Sequence, residues 1–298
     1  MTILLQQLLA LLGLIAALWL GHRHWIAPRA GRFDAGGRVL LGLVLVAFLG
    51  GLLGSPFWWL DAPQSFAWDL PPLASRLLAA AGFTFALLGF LALRRPTAAR
   101  LRLVNWLLAV YLLPLVAAIL LFHLDRFDPH ALITWAFFTI AAGMSVTALG
   151  LLLRPPALAK EEAAANGTVT NGWFVLTALV MGLWGLALLV TDHGPLPWVW
   201  AWSGDALSTR VIAVMLLAIA AGSLYALRAP GAGRLMLAGM LAYGVLGTAA
   251  SLWNLMSGKP LPVGYVSVFA ALALGAAVLL LAGRASAQYA GSGDTPNR

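Results

Sequence analysis

The chain has 298 residues, 62% of them hydrophobic and only 9% charged, with 18 Lys and Arg against 10 Asp and Glu. Soluble domains carry roughly a quarter charged residues and must cover one core with polar surface, so lipid is the solvent this composition suits. The absence of cysteine removes disulfides, thiolate metal sites, thiol nucleophiles and iron–sulfur ligation together.

Apolar runs long enough to cross about 30 Å of hydrocarbon predict nine helices, at 3–20, 38–55, 74–93, 103–122, 132–153, 172–191, 208–227, 235–255 and 263–283. The first is read as a retained span and not a signal peptide. No basic residue precedes it, and "GHRHW" (21–25) offers no small-residue cleavage site. His22 and His24 in that segment sit among arginines and suit anionic headgroups. The end of the second run, "GGLLGSPFWW", predicts a bend or an interfacial segment.

"AWDLPPLASR" (67–76) opens the third run and "AWSGDALSTR" (201–210) opens the seventh. A shift of 134 residues aligns Ala67–Arg100 with Ala201–Arg234 without a gap, and twelve of the thirty-four pairs are identical. Chance Leu and Ala matches count for little in apolar sequence. The pairs Trp68/Trp202, Arg76/Arg210, Arg94/Arg228, Pro96/Pro230 and Arg100/Arg234 carry the inference of a duplicated four-helix unit. Because four is even, the two units keep one orientation, and a pseudo-two-fold axis along the membrane normal follows. The expected fold is therefore an all-α polytopic membrane protein laid out 1+4+4. Its parts are an N-terminal helix with a basic loop (1–37), a first repeat (38–158), a linker (159–171), a second repeat (172–284) and a disordered tail (285–298).

Fourteen of the eighteen basic residues fall in the tail or in the loops after runs 1, 3, 5 and 7, counting Arg38 at the edge of the second run. Short loops rich in Lys and Arg stay in the cytoplasm. This places the N-terminus outside, the C-terminus inside, and the whole chain in a bacterial-type cytoplasmic (inner) membrane. The same logic makes the basic balance a topology signal, so nucleic acid is not an expected partner. The Asn166-Gly-Thr sequon falls on the cytoplasmic side and is expected to stay unmodified.

Candidate site residues lie at the opposite, outer end. Arg76 and Arg210 stand on the side poor in positive charge, near helix N-termini where the dipole disfavours a cation. They are read first as snorkelling to phosphate or pairing with an Asp, and second as anion-binding groups flanking the pseudo-axis. Trp68 and Trp202 belong to Trp-dense outer loops that suit an aromatic belt. If extended, "WVWAW" would put three rings on one face for a planar or apolar ligand. Asp69, Asp205 and His193 complete the ligand-binding set. His123, Asp125, Asp128 and His130 share one short loop, and their imidazoles and carboxylates suit zinc, although the spacing matches no metal signature. No His sits at mid-span, which argues against haem, and no cofactor is implied.

No Asp, Glu, Lys, Arg or His occupies the middle turns of any predicted span. Ion-coupled transport, proton relays and intramembrane catalysis need such groups. Mild polar residues remain, among them Thr84, Asn105, Tyr111, Ser145, Thr147, Thr177, Tyr243, Thr248 and Ser251. No phosphate loop, nucleophile motif or HExxH helix is present. The sequence thus favours a non-catalytic protein, either an accessory or scaffold subunit of a membrane assembly or a binder of lipid-like molecules. Its partners would be the bilayer, other membrane subunits or further copies of itself. A transporter or channel for a neutral or amphipathic molecule along the repeat interface is the second reading, and an enzyme at the outer interface the third.

Overall fold

The computed structural model describes residues 3–62, 65–159, 165–196, 198–201, 204–260 and 262–292, with side chains between residues 12 and 283. Among these residues the chain is helical, without strands. Its long helices are α1 (Ile3–Gly21), α2 (Ala35–Trp59), α3 (Pro72–Arg94), α4 (Ala98–Phe122), α5 (Leu132–Leu153), α6 (Thr168–Val190), α7 (Ala206–Arg228), α8 (Gly233–Met256) and α9 (Val263–Ser292). The eight from α2 to α9 are long and apolar enough to cross a membrane, the signature of a multi-pass membrane protein.

Local chemistry explains where helices begin. The Asp34 carboxylate accepts from the Gly37 N–H at 2.6 Å and starts α2. Thr97 caps α4 through the Arg100 N–H, and Asp205 caps α7 through the Ser208 N–H. Such caps satisfy backbone donors that the first helical turn leaves unpaired. Proline at the first position of α3 loses no helical hydrogen bond. The run expected to bend, α2, continues to Trp59 with Pro56 inside it. The last helix runs on to Ser292, past the expected end at 283 and into the segment expected to be disordered; residues 293–298 lie outside the described set.

Helices α2 and α3 pack along each other, as do α6 and α7, α4 and α5, and α8 and α9. These pairs are joined by contacts of α3 against α8 and of α4 against α7. Small residues allow these approaches, since lipid gives helices no hydrophobic drive to associate and close packing must supply it. At Gly51 of α2 a methyl group would run into the Gly82 carbonyl oxygen of α3. At Gly185 of α6 it would meet the Ala213 carbonyl oxygen of α7 at 3.1 Å. The centre is aromatic: Tyr243, Tyr265, Phe174 and Phe269 are among its largest fully buried side chains. Peripheral α5, α6 and α9 instead turn large apolar side chains outward, for example Val146, Leu183 and Val278.

One end of the bundle gathers the basic segments. Asp34 accepts from the Ala157 N–H at 3.3 Å, Arg102 donates to the Pro156 carbonyl at 3.2 Å, and Asn166 donates to the Ala226 carbonyl at 2.9 Å. The other end gathers the loops 60–71, 123–131, 191–205 and 257–262. Ser75 donates to the Trp58 carbonyl there, and Tyr265 to the Val199 carbonyl at 2.9 Å.

Candidate functional site

At the end rich in Asp and Trp, the structure assembles a polar cluster where α4 meets α7. Arg210, one turn into α7, extends its Nη1 to within 2.6 Å of His123 Nε2, at the C-cap of α4. A guanidinium has only donors, so Nε2 accepts and the ring proton sits on Nδ1. The Arg210 Nε donates to the Leu189 carbonyl of α6 at 3.4 Å. Its guanidinium also lies over the Phe122 ring, 5.0 Å from the centroid, a cation–π contact worth about 0.5–2 kcal/mol. Burial first, then the Arg210 charge, hold the His123 imidazole below its usual range, with Asp125 and Asp205 acting in the opposite sense.

Asp205 stands beside this pair as a cap. Its carboxylate accepts from the Ser208 hydroxyl at 2.6 Å and from the Ser208 N–H at 3.3 Å, and it faces Arg126 at 4.0 Å. His193 and Asp192 form an exposed neighbouring pair at 2.8 Å. The hydrogen bond from His193 is the main reason the Asp192 carboxyl is held below the usual carboxylate range.

Arg76, at the matching position of α3, is buried, with 8% of its surface exposed. Its guanidinium lies 5.3 Å from the Trp253 ring of α8, and its Nη1 donates to the Pro72 carbonyl at 3.1 Å. Asp61, held in the left-handed region at φ 53°, supplies the nearby negative charge. Among the described residues, neither Arg76 nor Arg210 lies within 4.0 Å of a carboxylate. Each sits instead on an aromatic ring of the helix across the centre. The expected pairing with Asp gives way because an aromatic ring and a backbone carbonyl lie closer to each guanidinium group than any carboxylate among the described residues.

The tryptophans at this end divide between packing and exposure. Trp68 is buried between Phe127 and Phe137, with ring centroids at 5.1 and 5.3 Å. It ties the loop before α3 to the loop before α5. Residues 198–201 form a turn and not the extended segment that would align three rings. Trp198 is exposed, while Trp200 folds back to donate to the Thr191 carbonyl at 2.9 Å. Trp202 lies outside the described residues. Asp69 is exposed.

The loop proposed for metal is divided. His123 turns inward to Arg210, while Asp128 folds back to accept from the His130 N–H at 2.8 Å. Among the described residues no three His, Asp or Glu side chains gather to hold an ion. The structure thus joins His123 to Arg210 and Asp205, residues that the sequence assigned to two separate candidate sets. It leaves Arg126, their neighbour, as the member that spacing did not single out. Comparison with family models, with curated proteins and with solved structures finds no match.

Proposed function

We propose that this chain is a non-catalytic integral protein of the cytoplasmic membrane, serving as an accessory or scaffold subunit or as a binder of lipid-like molecules. The observation that carries this reading is where the polar side chains of the spans spend their hydrogen bonds. Thr84, Ser145, Thr147, Ser223, Thr248 and Ser251 each donate to the carbonyl four residues earlier on their own helix. Hydroxyl groups used in this way satisfy their donors within their own helix, which suits a packed bundle. The outward apolar faces of α5, α6 and α9 supply the surface for lipid or for neighbouring subunits.

The layout in this reading is nine spans, 1+4+4, with the N-terminus outside and two parallel units about an axis along the membrane normal. Its support is reciprocal packing. The shift of 134 residues carries α3 onto α7 and α4 onto α8. The α3–α8 contact is then the counterpart of α7–α4, and Arg76 and Arg210 each meet a ring of the opposite helix, Trp253 and Phe122, although the shift carries Phe122 onto Met256, one turn from Trp253. The same reciprocity favours a second reading, a transporter for a neutral or amphipathic molecule along that axis.

Native copurification from its own membranes, followed by mass spectrometry of bound proteins and lipids, separates these readings. A subunit or lipid binder brings down a stoichiometric partner chain or retained lipid through mild detergent. A free monomer devoid of lipid contradicts the first reading, and facilitated passage of a neutral solute in proteoliposomes establishes the second.

A further inference from the structure

At the basic end, α2, α4, α5, α7 and the segment after α5 border a partly open pocket of about 90 Å³, lined by Arg102, Asn105 and Tyr225 together with apolar walls that include Leu40, Leu151 and Pro155. Asn105 is only 3% exposed. Its Nδ2 donates to the Ala148 carbonyl of α5 at 3.3 Å, which leaves Oδ1 buried with no partner among the described residues. Arg102 spends one Nη on the Pro156 carbonyl, and its buried Nε–H is likewise without a partner. A buried polar group left unpaired costs about 1–3 kcal/mol, and the residues lining this pocket carry two, one donor and one acceptor. Its walls are fixed: the Pro155–Ala157 segment is held from one side by Arg102 and from the other by Asp34.

The second half of the chain lacks this site. At the shift of 134 residues, Arg102, Asn105 and Trp106 face Met236, Gly239 and Met240. The pocket is therefore a difference between the units and no part of the shared frame.

We infer that this pocket binds an oxyanion that also carries a hydroxyl group, namely the head group of an anionic phospholipid or protonated inorganic phosphate. The Arg102 guanidinium takes the oxyanion, with a planar set of donors that fits phosphate oxygens. The Asn105 Oδ1 takes the O–H, and the Tyr225 phenol contributes a third polar contact. Asn105 lies seven residues into α4, about 10 Å along the axis, the depth at which head groups meet acyl chains. The inference rests on the lipid-binding form of the function proposed above and names its site.

The test uses the full-length protein in mild detergent, by native mass spectrometry and thermal unfolding with added phosphatidylglycerol, phosphatidylcholine or inorganic phosphate. Phosphatidylglycerol offers an oxyanion and hydroxyls, whereas phosphatidylcholine has no hydroxyl and no net charge. The wild type should retain phosphatidylglycerol over phosphatidylcholine. Retention should fall at least tenfold in Arg102→Met and Asn105→Leu, fall less in the mild variant Tyr225→Phe, and stay unchanged in Arg228→Gln, an exposed arginine at the same end. If inorganic phosphate alone stabilises the wild type and not these variants, the site stands with phosphate as its source. Equal retention of phosphatidylglycerol by the wild type and all three pocket variants overturns the site while leaving lipid binding intact. Tyr225→Phe decides the matter if the other two fail to fold. A wild type that holds no lipid and does not respond to phosphate overturns the site and the lipid reading together.

Discussion

His123 can accept from Arg210 only while its Nε2 carries no proton. Burial and the adjacent Arg210 charge lower its folded pKa, so between the usual imidazole value of about 6.5 and the lower folded value the unfolded chain binds the extra proton. Stability from this pair is therefore complete above about pH 6.5 and is lost as pH falls through the folded value. Thermal unfolding in detergent should show a midpoint that drops on acidification below about pH 6.5. In His123→Gln, whose amide oxygen still accepts from Arg210, that drop should flatten. An identical pH profile in the variant would mean that another group carries the dependence. The Asp192 carboxyl, also held low, acts only in the more acidic carboxylate range, so the two effects separate on the pH axis.

The α2–α3 contact depends on the absence of a side chain at Gly51. Gly51→Ala drives a methyl group into the Gly82 carbonyl, and overpacking of this kind costs about 1–3 kcal/mol. Gly42, on the same helix, has nothing within 4 Å of a built Cβ, so Gly42→Ala should gain about 0.5–1 kcal/mol from helix propensity. Opposite shifts in unfolding midpoint check both, and a neutral Gly51→Ala would contradict the packing. Helix positions were legible in the sequence: α5 spans 132–153, as its apolar run predicts, α1 and α9 also start where their runs do, and the other helices start about two to five residues earlier. Which helix faces meet was not. In water an amphipathic stripe marks the buried face, but lipid and protein interior are both apolar, so the stripe disappears. The partners of Arg210, Trp68 and Asn105 lie 87, 59 and 43 residues away in the chain, and no periodicity encodes those meetings. Rare residues were the better signal. Asn105 was visible as a polar residue inside a span, and its repeat position held Gly239, yet the carbonyl and proline that complete its pocket come from α5 and the segment after it.

At the scale of the whole molecule, the central claim is the proposed layout: α1 crosses a bilayer together with the eight helices α2 to α9, which are long and apolar enough to do so, with the basic end in the cytoplasm and the end holding Arg76 and Arg210 outside. That orientation is the one positive residues in short loops would favour, and the contacts through Asp34, Arg102 and Asn166 draw those loops to a single end. The native chain has no cysteine, so single cysteines report accessibility without background. The exposed positions Asp69, Asp128 and His193 mark one end, and Ala27 and Ala159 mark the other. The most direct measurement is labelling of these five single-cysteine variants with a membrane-impermeant maleimide, in intact spheroplasts and after permeabilisation. The first three should label in intact spheroplasts, and Ala27→Cys and Ala159→Cys only once the membrane is opened. The reverse pattern, or labelling of all five in intact spheroplasts, would contradict the claim.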